Sequence, residues 1–400
     1  MQAHPFGQRP QSPSGRPSAL TLGLGAVAVV IAVLVAAQLL PAGRPAASAS
    51  SGPSTSLADP SPGIAAGAST SPAAIGGGVA SPSAAGASPS APGASSTPAG
   101  PPFPGGLLIA DRANNRLMIV NDAGRVLWRF PRPGSLPSGW SGVTADDAFL
   151  APDGRTIVAN DEFHETIVRI DLASAKVIWT YGHYGRVGSA PGYLHTPDDA
   201  YPLANGDIVV ADIENCRVME IAPDKRIVRQ WGHTGVCRDA PPAYLARPNG
   251  DTPLPDGGLL ITEITGSRVV RLAADGHVVF DIQVPVAYPS DAQLDPQGNV
   301  VIADFSSAGQ VVSINPTTGA INWRWAYPSG PRHLDHPSLA TPLADGTVSV
   351  NDDFRHRIVV INPATGRIVW QYGHTDVQGR GSGYLNTPDG HQPLPASGPF

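Results

Sequence analysis

One column of a repeated segment carries acidic and amide side chains that could bind a cation. Six segments align without a gap, and in this column they carry, in ring order, Asp389, Asp146, Asp198, Asn249, Ser290 and Ser338. Carboxylate and amide oxygens are the ligands that Ca²⁺ and other hard divalent cations prefer. The pattern therefore makes Asp146, Asp198 and Asp389 candidate metal ligands and adds Asn249 to a candidate ligand-binding arc. The alternative is that these side chains only accept hydrogen bonds from nearby backbone N–H groups.

Several histidines are candidates for a base or for ligand contacts. His391 lies two positions after Asp389, and His195 lies just before another aligned segment, so both are candidate catalytic bases. Three long segments each join a Gly-His pair to Tyr-Leu-x-x-Pro, and their histidines are candidate ligand-binding residues: His183, His233 and His374. The alternative is that each histidine interacts with the tyrosine of its own loop. We expect the three to lie far apart, which argues against one shared metal.

Six acids recur along the last three quarters of the chain and define its organisation. Each ends a short apolar run such as LLIAD or VVIAD, and a turn and a second apolar run follow. The spacings are 50, 51, 51, 41 and 48 residues, between Asp111, Asp161, Asp212, Glu263, Asp304 and Asp352. A four-stranded unit repeated at this period predicts a six-bladed β-propeller in residues 105–400.

The last aligned segment indicates how the ring closes. Blade 1 starts with its second strand, LLIAD, and lacks an inner strand, so we expect residues 388–394 to supply it. The expected fold is thus an all-β, six-bladed β-propeller closed by its C-terminal strand, without an open sheet edge. Inner strands line the channel of a propeller, so the arc would face the channel mouth and the long loops would surround it. A different strand orientation would turn other acids into the channel: Asp147, Asp199 and Asp291.

Other repeated residues are expected to be structural. Four acids precede an arginine by five residues, which predicts ion pairs across a turn: Asp111–Arg116, Asp212–Arg217, Glu263–Arg268 and Asp352–Arg357. One column of the outer strand is aromatic except for Arg229 and is expected to pack between blades: Trp128, Trp179, Phe280, Trp323 and Trp370.

The segment ahead of the propeller predicts a membrane tether. Residues 19–40 are uninterrupted by charge and as a helix would be about 33 Å long, enough to cross a hydrocarbon core of about 30 Å. We expect a short cytoplasmic segment at 1–18, a signal anchor at 19–40 and a disordered Ala/Ser/Pro/Gly linker at 41–104. The propeller would then be extracytoplasmic. The alternative is a cleaved signal peptide, with small residues near 47–49 as the cleavage site.

The charge and the cysteine content of the chain agree with an extracytoplasmic location. The whole chain carries a formal charge of −6, and its first 104 residues are net basic, so the propeller is acidic and a poor candidate for binding nucleic acid. The chain has two cysteines, Cys216 in a predicted turn and Cys237 in a connection expected on the same face. We predict a Cys216–Cys237 disulfide, which an oxidising compartment permits. Two unrelated buried thiols are the alternative.

Two family resemblances support this fold. VADIENCRV, IADRANNRLMIV and NDDFRHRIVVI resemble the core of NHL repeats, while KVIWTYG, INWRW and RIVWQYG resemble the Trp-bearing strand of quinoprotein-like (PQQ-like) repeats. A lyase-type NHL propeller, peptidylglycine amidating lyase, binds zinc through three histidines that follow the strand-opening proline. Here that column holds acids, an amide and serines, so the resemblance does not carry the zinc site over.

Three functions are compatible with these patterns. The favoured hypothesis is a membrane-tethered binding module whose loop-bearing face takes an extracellular ligand, peptide, glycan or cell-surface protein. The alternative is a metal-dependent hydrolase or lyase that uses the arc as its ligand set, with Ca²⁺ or another divalent metal and with His391 or His195 as base. A second alternative is a quinoprotein-like redox enzyme, although propellers of that class usually carry more blades and this chain lacks adjacent cysteines.

Overall fold

The computed structural model describes residues 102–397 and contains six four-stranded antiparallel sheets. Blades 1 and 2 contain β1 (Leu107–Asp111), β2 (Arg116–Val120), β3 (Val126–Phe130), β4 (Ala145–Leu150), β5 (Thr156–Asp161), β6 (Thr166–Asp171) and β7 (Lys176–Gly182). Blades 3 and 4 contain β8 (Pro197–Pro202), β9 (Ile208–Asp212), β10 (Arg217–Ile221), β11 (Ile227–Gly232), β12 (Pro248–Pro253), β13 (Leu259–Glu263), β14 (Arg268–Leu272) and β15 (Val278–Gln283). Blades 5 and 6, with the closing strand, contain β16 (Pro289–Leu294), β17 (Val300–Asp304), β18 (Gln310–Ile314), β19 (Ile321–Trp325), β20 (Ala340–Pro342), β21 (Val348–Asp352), β22 (Arg357–Asn362), β23 (Arg367–Gly373) and β24 (Pro388–Pro393).

The ring closes through its C-terminal strand, as predicted. The sheet of blade 1 has the order β24–β1–β2–β3, so the last strand of the chain is the inner strand of the first blade. The other five blades are each built from four consecutive strands. Every blade is therefore complete, and the inner strand of blade 1 is tied to the rest of its sheet by pairs such as Ile109 with His391.

The hydrophobic core consists of six clusters, each formed where one blade packs on the next. The cluster between blades 1 and 2, for example, joins Ile119 and Phe130 to Ile157 and Val168, all of them at most 1 % exposed. The strands supply these contacts because alternate apolar residues of a strand face the same side of its sheet. The propeller is thus held together between its blades.

The aromatic column of the outer strands links neighbouring blades, as predicted. Trp128 donates its indole N–H to the Leu172 carbonyl of the next blade at 2.9 Å, and Trp179 does the same to Pro223 at 2.9 Å. In blade 3, Arg229 makes the corresponding bond to the next blade by donating to the Ala274 carbonyl at 2.9 Å. The exception to the aromatic column therefore makes the same kind of inter-blade bond as Trp128 and Trp179.

Each recurring acid accepts a hydrogen bond from the backbone just ahead of the inner strand of its own blade. The carboxylate of Asp161 accepts from the Thr144 N–H at 3.1 Å, just ahead of the inner strand of the same blade. The corresponding bonds in the other blades run from Asn386 to Asp111, from His195 to Asp212, from Ala246 to Glu263, from Ala287 and Tyr288 to Asp304, and from Asp335 to Asp352.

Three of the four predicted acid–arginine pairs form. Arg116 contacts Asp111 at 2.5 Å, and both Arg217 with Asp212 and Arg357 with Asp352 are paired at 2.7 Å. The prediction of a Glu263–Arg268 pair is wrong. Arg268 pairs instead with Asp239 of the preceding connection and with Asp281 of the outer strand. These two acids draw the guanidinium away from the turn, and Glu263 is left with its backbone contact.

The predicted disulfide is present. Cys216, in the turn after β9, is bonded to Cys237, with their Cα atoms 5.1 Å apart. The bond ties the long connection of blade 3 to the turn between the second and third strands of that blade. The disulfide therefore restricts the movement of the long loop of blade 3.

The predicted N-terminal segments lie outside the described residues. They are the cytoplasmic segment at 1–18, the anchor at 19–40 and the part of the linker up to residue 101. Within residues 102–397, no helix is both long and apolar enough to cross a membrane.

Candidate functional site

A β-bulge near the start of the inner strands determines which side chains meet in the channel. In blade 2, Ala145 pairs with Asp161 and Ala148 with Ala159, so Asp146 and Asp147 together oppose the single residue Asn160. The freed Asp147 N–H donates to the Asn160 side chain at 3.0 Å. A bulge of this kind breaks the alternation of a strand, so two consecutive side chains need not face opposite ways.

The bulge brings two columns of acids together. One carboxylate oxygen from each of Asp146, Asp147 and Asp198 lies within 4.8 Å of the others, and all three residues are buried. The arc continues through Asn249, which donates to Asp198 and accepts from the Tyr288 hydroxyl at 2.9 Å. The arc predicted from the sequence is therefore contiguous, and it includes Asp147, which was expected only under the opposite strand orientation.

Asp389 has a different partner. It is ion-paired with Arg112, whose guanidinium also lies 2.7 Å from Asp146 and 2.8 Å from Glu162. Arg112 opens the 3-10 helical turn Arg112–Asn114 and so spans from blade 1 to blade 2. Among the predicted metal ligands, Asp146 and Asp198 thus meet at the acid cluster, Asp389 lies outside it, and Arg112 contacts both Asp146 and Asp389.

More acids lie beside the cluster. Asp251 is fully buried, and neither of its carboxylate oxygens has a hydrogen-bond partner among the described residues. Asp291 accepts from Gln293 at 2.7 Å and from the Thr252 hydroxyl at 2.9 Å. Asp199, 2 % exposed, has a φ of 43°, in the left-handed region that a non-glycine residue rarely adopts. The inner strands therefore hold an unusual density of carboxylates.

Glycines of neighbouring inner strands leave space for these carboxylates. A Cβ placed on Gly390 would overlap the Asp147 side chain, and a Cβ on Gly250 would lie 2.7 Å from an oxygen of Asp291. Both glycines stand in the column that carries aspartate in other blades. Glycine at these two positions is thus a packing requirement for Asp147 and Asp291 of the adjacent blades.

The electrostatics of the cluster follow from burial and crowding. Burial raises the pKa of Asp146 well above its usual range, and Asp389 and Asp198 add to the rise while Arg112 opposes it. Burial also raises the pKa of Asp198 to about 7. Burial acts to raise the pKa of Asp389 as well, but Arg112 together with hydrogen bonds to Asp146 and Asp353 outweighs burial and lowers that pKa. Arg112 therefore keeps Asp389 ionised, whereas its neighbours hold more negative charge than one guanidinium can balance.

His391 is poorly suited to the role of a base. Its ring is 1 % exposed, with Nε2 2.6 Å from the Ser349 hydroxyl and Nδ1 3.3 Å from the Asn351 side chain. Burial lowers its pKa to about 3. A group with that pKa takes up protons only weakly near neutral pH. His391 instead joins the closing strand β24 to strand β21 of the preceding blade.

The other candidate histidines are held at the start of an inner strand or within the long loops. His195 precedes β8, where its N–H donates to Asp212 at 2.7 Å. His183 stacks on Tyr193 and His374 on Tyr384, each pair with ring centroids 4.1 Å apart. His233 and Tyr244 are 5.8 Å apart. The three long loops thus share an internal His–Tyr contact, and their histidines do not meet at one centre.

The long loops are anchored on the turns of the blade that follows. Asn215 of blade 3 donates to the Gly188 carbonyl in the blade 2 loop at 2.8 Å, and Asn114 of blade 1 donates to the Gly379 carbonyl in the blade 6 loop at 2.8 Å. The loops of blades 2 and 6 are therefore held by the 3-10 turns of blades 3 and 1.

The turns of blades 6, 1 and 2 bring further residues to the channel mouth. Phe163 and Phe354 are exposed there by 51 % and 42 %, although both are large and apolar. Arg112 stacks on Phe163, with its guanidinium 4.9 Å from the ring centroid. In the described part of the chain, this mouth combines exposed aromatic rings with charged groups directly above buried acids.

Sequence reasoning missed Arg112, Glu162 and Asp353, although a signal was available. These residues directly follow the recurring acids, and the same position holds Ile213, Ile264 and Phe305 in the other blades. A position that varies from basic to acidic to apolar around a ring marks a functional asymmetry. Asp251 was missed because it stands where Ala148, Ala200 and Ala292 stand in other blades, one position beyond the acids that were compared.

Comparison with known families supports the quinoprotein-like resemblance. A family model described as outer membrane protein assembly factor BamB, of the PQQ-like repeat type, matches residues 229–383. The protein is a six-bladed β-propeller, and its segment 229–383 is similar to PQQ-like, BamB-like propeller repeats. The NHL likeness of the strand–turn–strand segments remains a resemblance. No curated protein matches the chain.

Solved structures share the fold at low sequence identity. A protein of unknown function from Bacteroides caccae is 15 % identical, with a TM-score of 0.50 over 71 % of this chain and 97 % of that one. A chain of a nidogen/laminin complex is 14 % identical, with a TM-score of 0.49 over 72 % and 97 %. Virginiamycin B lyase from Staphylococcus aureus is 16 % identical, with a TM-score of 0.47 over 69 % and 86 %.

Proposed function

We propose that this protein is a membrane-tethered, extracytoplasmic binding module whose ligand docks at the channel mouth on the loop-bearing face. The observation that carries the proposal is the mouth itself. Exposed Phe163 stacks on Arg112, Phe354 is exposed in the equivalent turn of blade 6, and Arg112 contacts Asp146 of the acid cluster. Exposed aromatic side chains beside charged groups are typical of binding surfaces rather than of an inert surface.

The charge at the mouth favours a ligand with a cationic group. Arg112 is engaged by Asp389, Asp146 and Glu162, so the net charge around it is negative. A lysine or arginine side chain of a peptide or cell-surface protein would pair with these carboxylates, and its apolar stem would pack on the two phenylalanines. An amino sugar of a glycan offers the same chemistry in a smaller group.

The proposed location rests on sequence features and on the disulfide. Residues 19–40 have the length and composition of a membrane anchor. The Cys216–Cys237 bond is of the kind that persists outside the cytosol. The matching family model describes an assembly factor, which accords with a protein that acts by binding.

The hydrolase or lyase alternative has a candidate metal centre but lacks support for its base. His391 is held between Ser349 and Asn351 with a pKa of about 3, and His195 is fixed by its backbone beside Asp212. Because burial makes His391 a weak base, the site is better suited to binding than to proton transfer.

Peptide binding to the purified full-length protein tests this proposal. Immobilised protein is exposed to peptides of equal length that contain lysine or arginine, and to matched peptides with glutamine at those positions. We expect saturable binding of the cationic set and at least a tenfold loss of affinity in a Phe163→Ala/Phe354→Ala variant. The control variant Ile178→Ala/Val369→Ala removes side chains exposed by 57 % and 54 % on outer strands and should bind normally. Equal binding by cationic and neutral peptides, or equal loss in both variants, would overturn the proposal.

A further inference from the structure

The acid cluster of the channel has the geometry of a metal centre. Oxygens of Asp146, Asp147 and Asp198 lie within 4.8 Å of one another, which is a separation that one ion can bridge. The three residues come from two adjacent inner strands, β4 and β8, and each is 6 % exposed. The cluster is therefore part of the rigid ring rather than of a mobile loop.

A second observation points to a cation at the same place. Asp251, from the next inner strand, is fully buried, and both of its oxygens lack a hydrogen-bond partner among the described residues. It lies on β12, the inner strand that packs beside β8, which carries Asp198. One oxygen of Asp147 also lacks a partner within the described chain. Buried carboxylate oxygens are ordinarily hydrogen-bonded or coordinate a metal.

The buried acids of the inner strands outnumber the basic residues that contact them. Seven aspartates of these strands are at most 6 % exposed: Asp146, Asp147, Asp198, Asp199, Asp251, Asp291 and Asp389. Among the described ion pairs, the single basic residue that contacts any of them is Arg112, which reaches Asp389 and Asp146. Buried like charges at such distances are neutralised either by protons or by bound cations.

We propose that Asp146, Asp147 and Asp198 bind one Ca²⁺ ion in the channel, with Asp251 facing the ion from the neighbouring strand. Carboxylate oxygens from several strands suit this ion because Ca²⁺ accepts six to eight oxygen ligands in flexible geometry. Arg112 closes the mouth side by holding Asp389 and one edge of Asp146. The inference deepens the proposed function, and it rests on it only in taking the channel as the binding site.

Calcium titration of the chelator-treated full-length protein tests the site. Isothermal titration with CaCl₂ should show one saturable site per chain, and the Tm should rise with calcium concentration, because an ion that binds only the folded state stabilises it. Asp147→Asn and Asp198→Asn should each weaken calcium binding at least tenfold. The exposed Asp224→Asn serves as the control and should leave binding unchanged.

The same variants separate a metal site from a merely structural cluster. In chelator, Asp147→Asn and Asp251→Asn should melt at or above the wild-type temperature, because each removes one of several repelling carboxylates. In calcium, Asp147→Asn should lose the calcium-dependent rise in Tm. Absence of saturable heat in the wild type, or heat unchanged in both Asp147→Asn and Asp198→Asn, would overturn the proposal. Because the titration uses the ion alone, its failure is distinguishable from failure of the peptide-binding test.

Discussion

The guanidinium of Arg112 lies 2.7 Å from the carboxylate of Asp146, so blade 1 provides the cation that partly neutralises the acid of blade 2. The same guanidinium contacts Asp389 and Glu162. Blade 1 is also the blade completed by the C-terminal strand, which carries Asp389. The contact thus joins the first, second and last segments of the ring at the channel mouth.

Arg112→Gln is expected to destabilise the protein by about 3–5 kcal/mol near neutral pH, because removing one partner of a buried ion pair leaves uncompensated charge. The effect should shrink below pH 5, where the freed carboxylates protonate. Urea denaturation at both pH values measures it. Arg226→Gln is the matched control, since Arg226 and Asp224 are 3.6 Å apart and mostly exposed. A loss of stability for Arg112→Gln no greater than for Arg226→Gln would contradict the assigned role.

Stability should depend on pH through Glu263. Burial raises its pKa to about 7, above the value near 4.5 of the unfolded chain. Because the folded-state pKa is raised, this contribution to stability is full below about pH 4.5 and is lost as pH rises through 7. The loss amounts to roughly 3 kcal/mol for a shift of this size. We expect the free energy of unfolding of the wild type to fall between pH 5 and 8.

Glu263→Gln should reduce that pH dependence by the contribution of Glu263, because an amide does not titrate, while Asp198, whose pKa is also raised to about 7, retains its own contribution. Denaturation curves at intervals from pH 5 to 8, in chelator, give the slope for each variant. Asp224→Asn, an exposed substitution, should retain the wild-type slope. If Glu263→Gln and wild type lose stability in parallel, Glu263 is not the titrating group.

Removal of the disulfide should cost about 3 kcal/mol, since the bond closes a loop between residues 21 apart in sequence. The Cys216→Ala/Cys237→Ala variant would show this loss in thermal or urea unfolding. Addition of a reductant to the wild type should produce a similar loss and should not affect the double variant further. Two alkylatable thiols in unreduced, folded wild type would show that the bond does not form.

Blade 3 offers a test of the exception in the aromatic column. Arg229 pairs with Glu220 at 2.6 Å, and Glu220 is 3 % exposed. Arg229→Trp alone restores the indole donor but leaves Glu220 uncompensated, so we expect a loss of about 3 kcal/mol. In blade 6 the corresponding cross-strand pair is Val360 with Trp370.

The combined Arg229→Trp/Glu220→Val variant should therefore regain most of that stability, because blade 3 would then match blade 6. Urea denaturation of both single variants and the double variant gives the coupling energy between the two positions. Additive effects of the two substitutions would show that Arg229 and Glu220 do not act as a pair.

Much of the fold was predictable because it depends on a repeat. The regular spacing of the six acids from Asp111 to Asp352 predicted six blades. The absence of an inner strand ahead of the first blade predicted closure of the ring by the C-terminal strand. The Cys216–Cys237 bond followed from placing each cysteine on a face. The Glu263–Arg268 prediction failed because its competitors, Asp239 and Asp281, lie on segments whose positions the repeat does not specify.

The amino-acid sequence by itself determined which inner-strand positions carry acids, since residue type and column are written in the chain. Only the tertiary structure decided that Asp146 and Asp147 share one cluster, because the bulge opposite Asn160 cancels the alternation that would send neighbouring side chains to opposite faces. Arg112 likewise reaches Asp389 only because the last strand of the chain returns beside the first. Distances between blades arise from ring closure, and a linear sequence does not contain them.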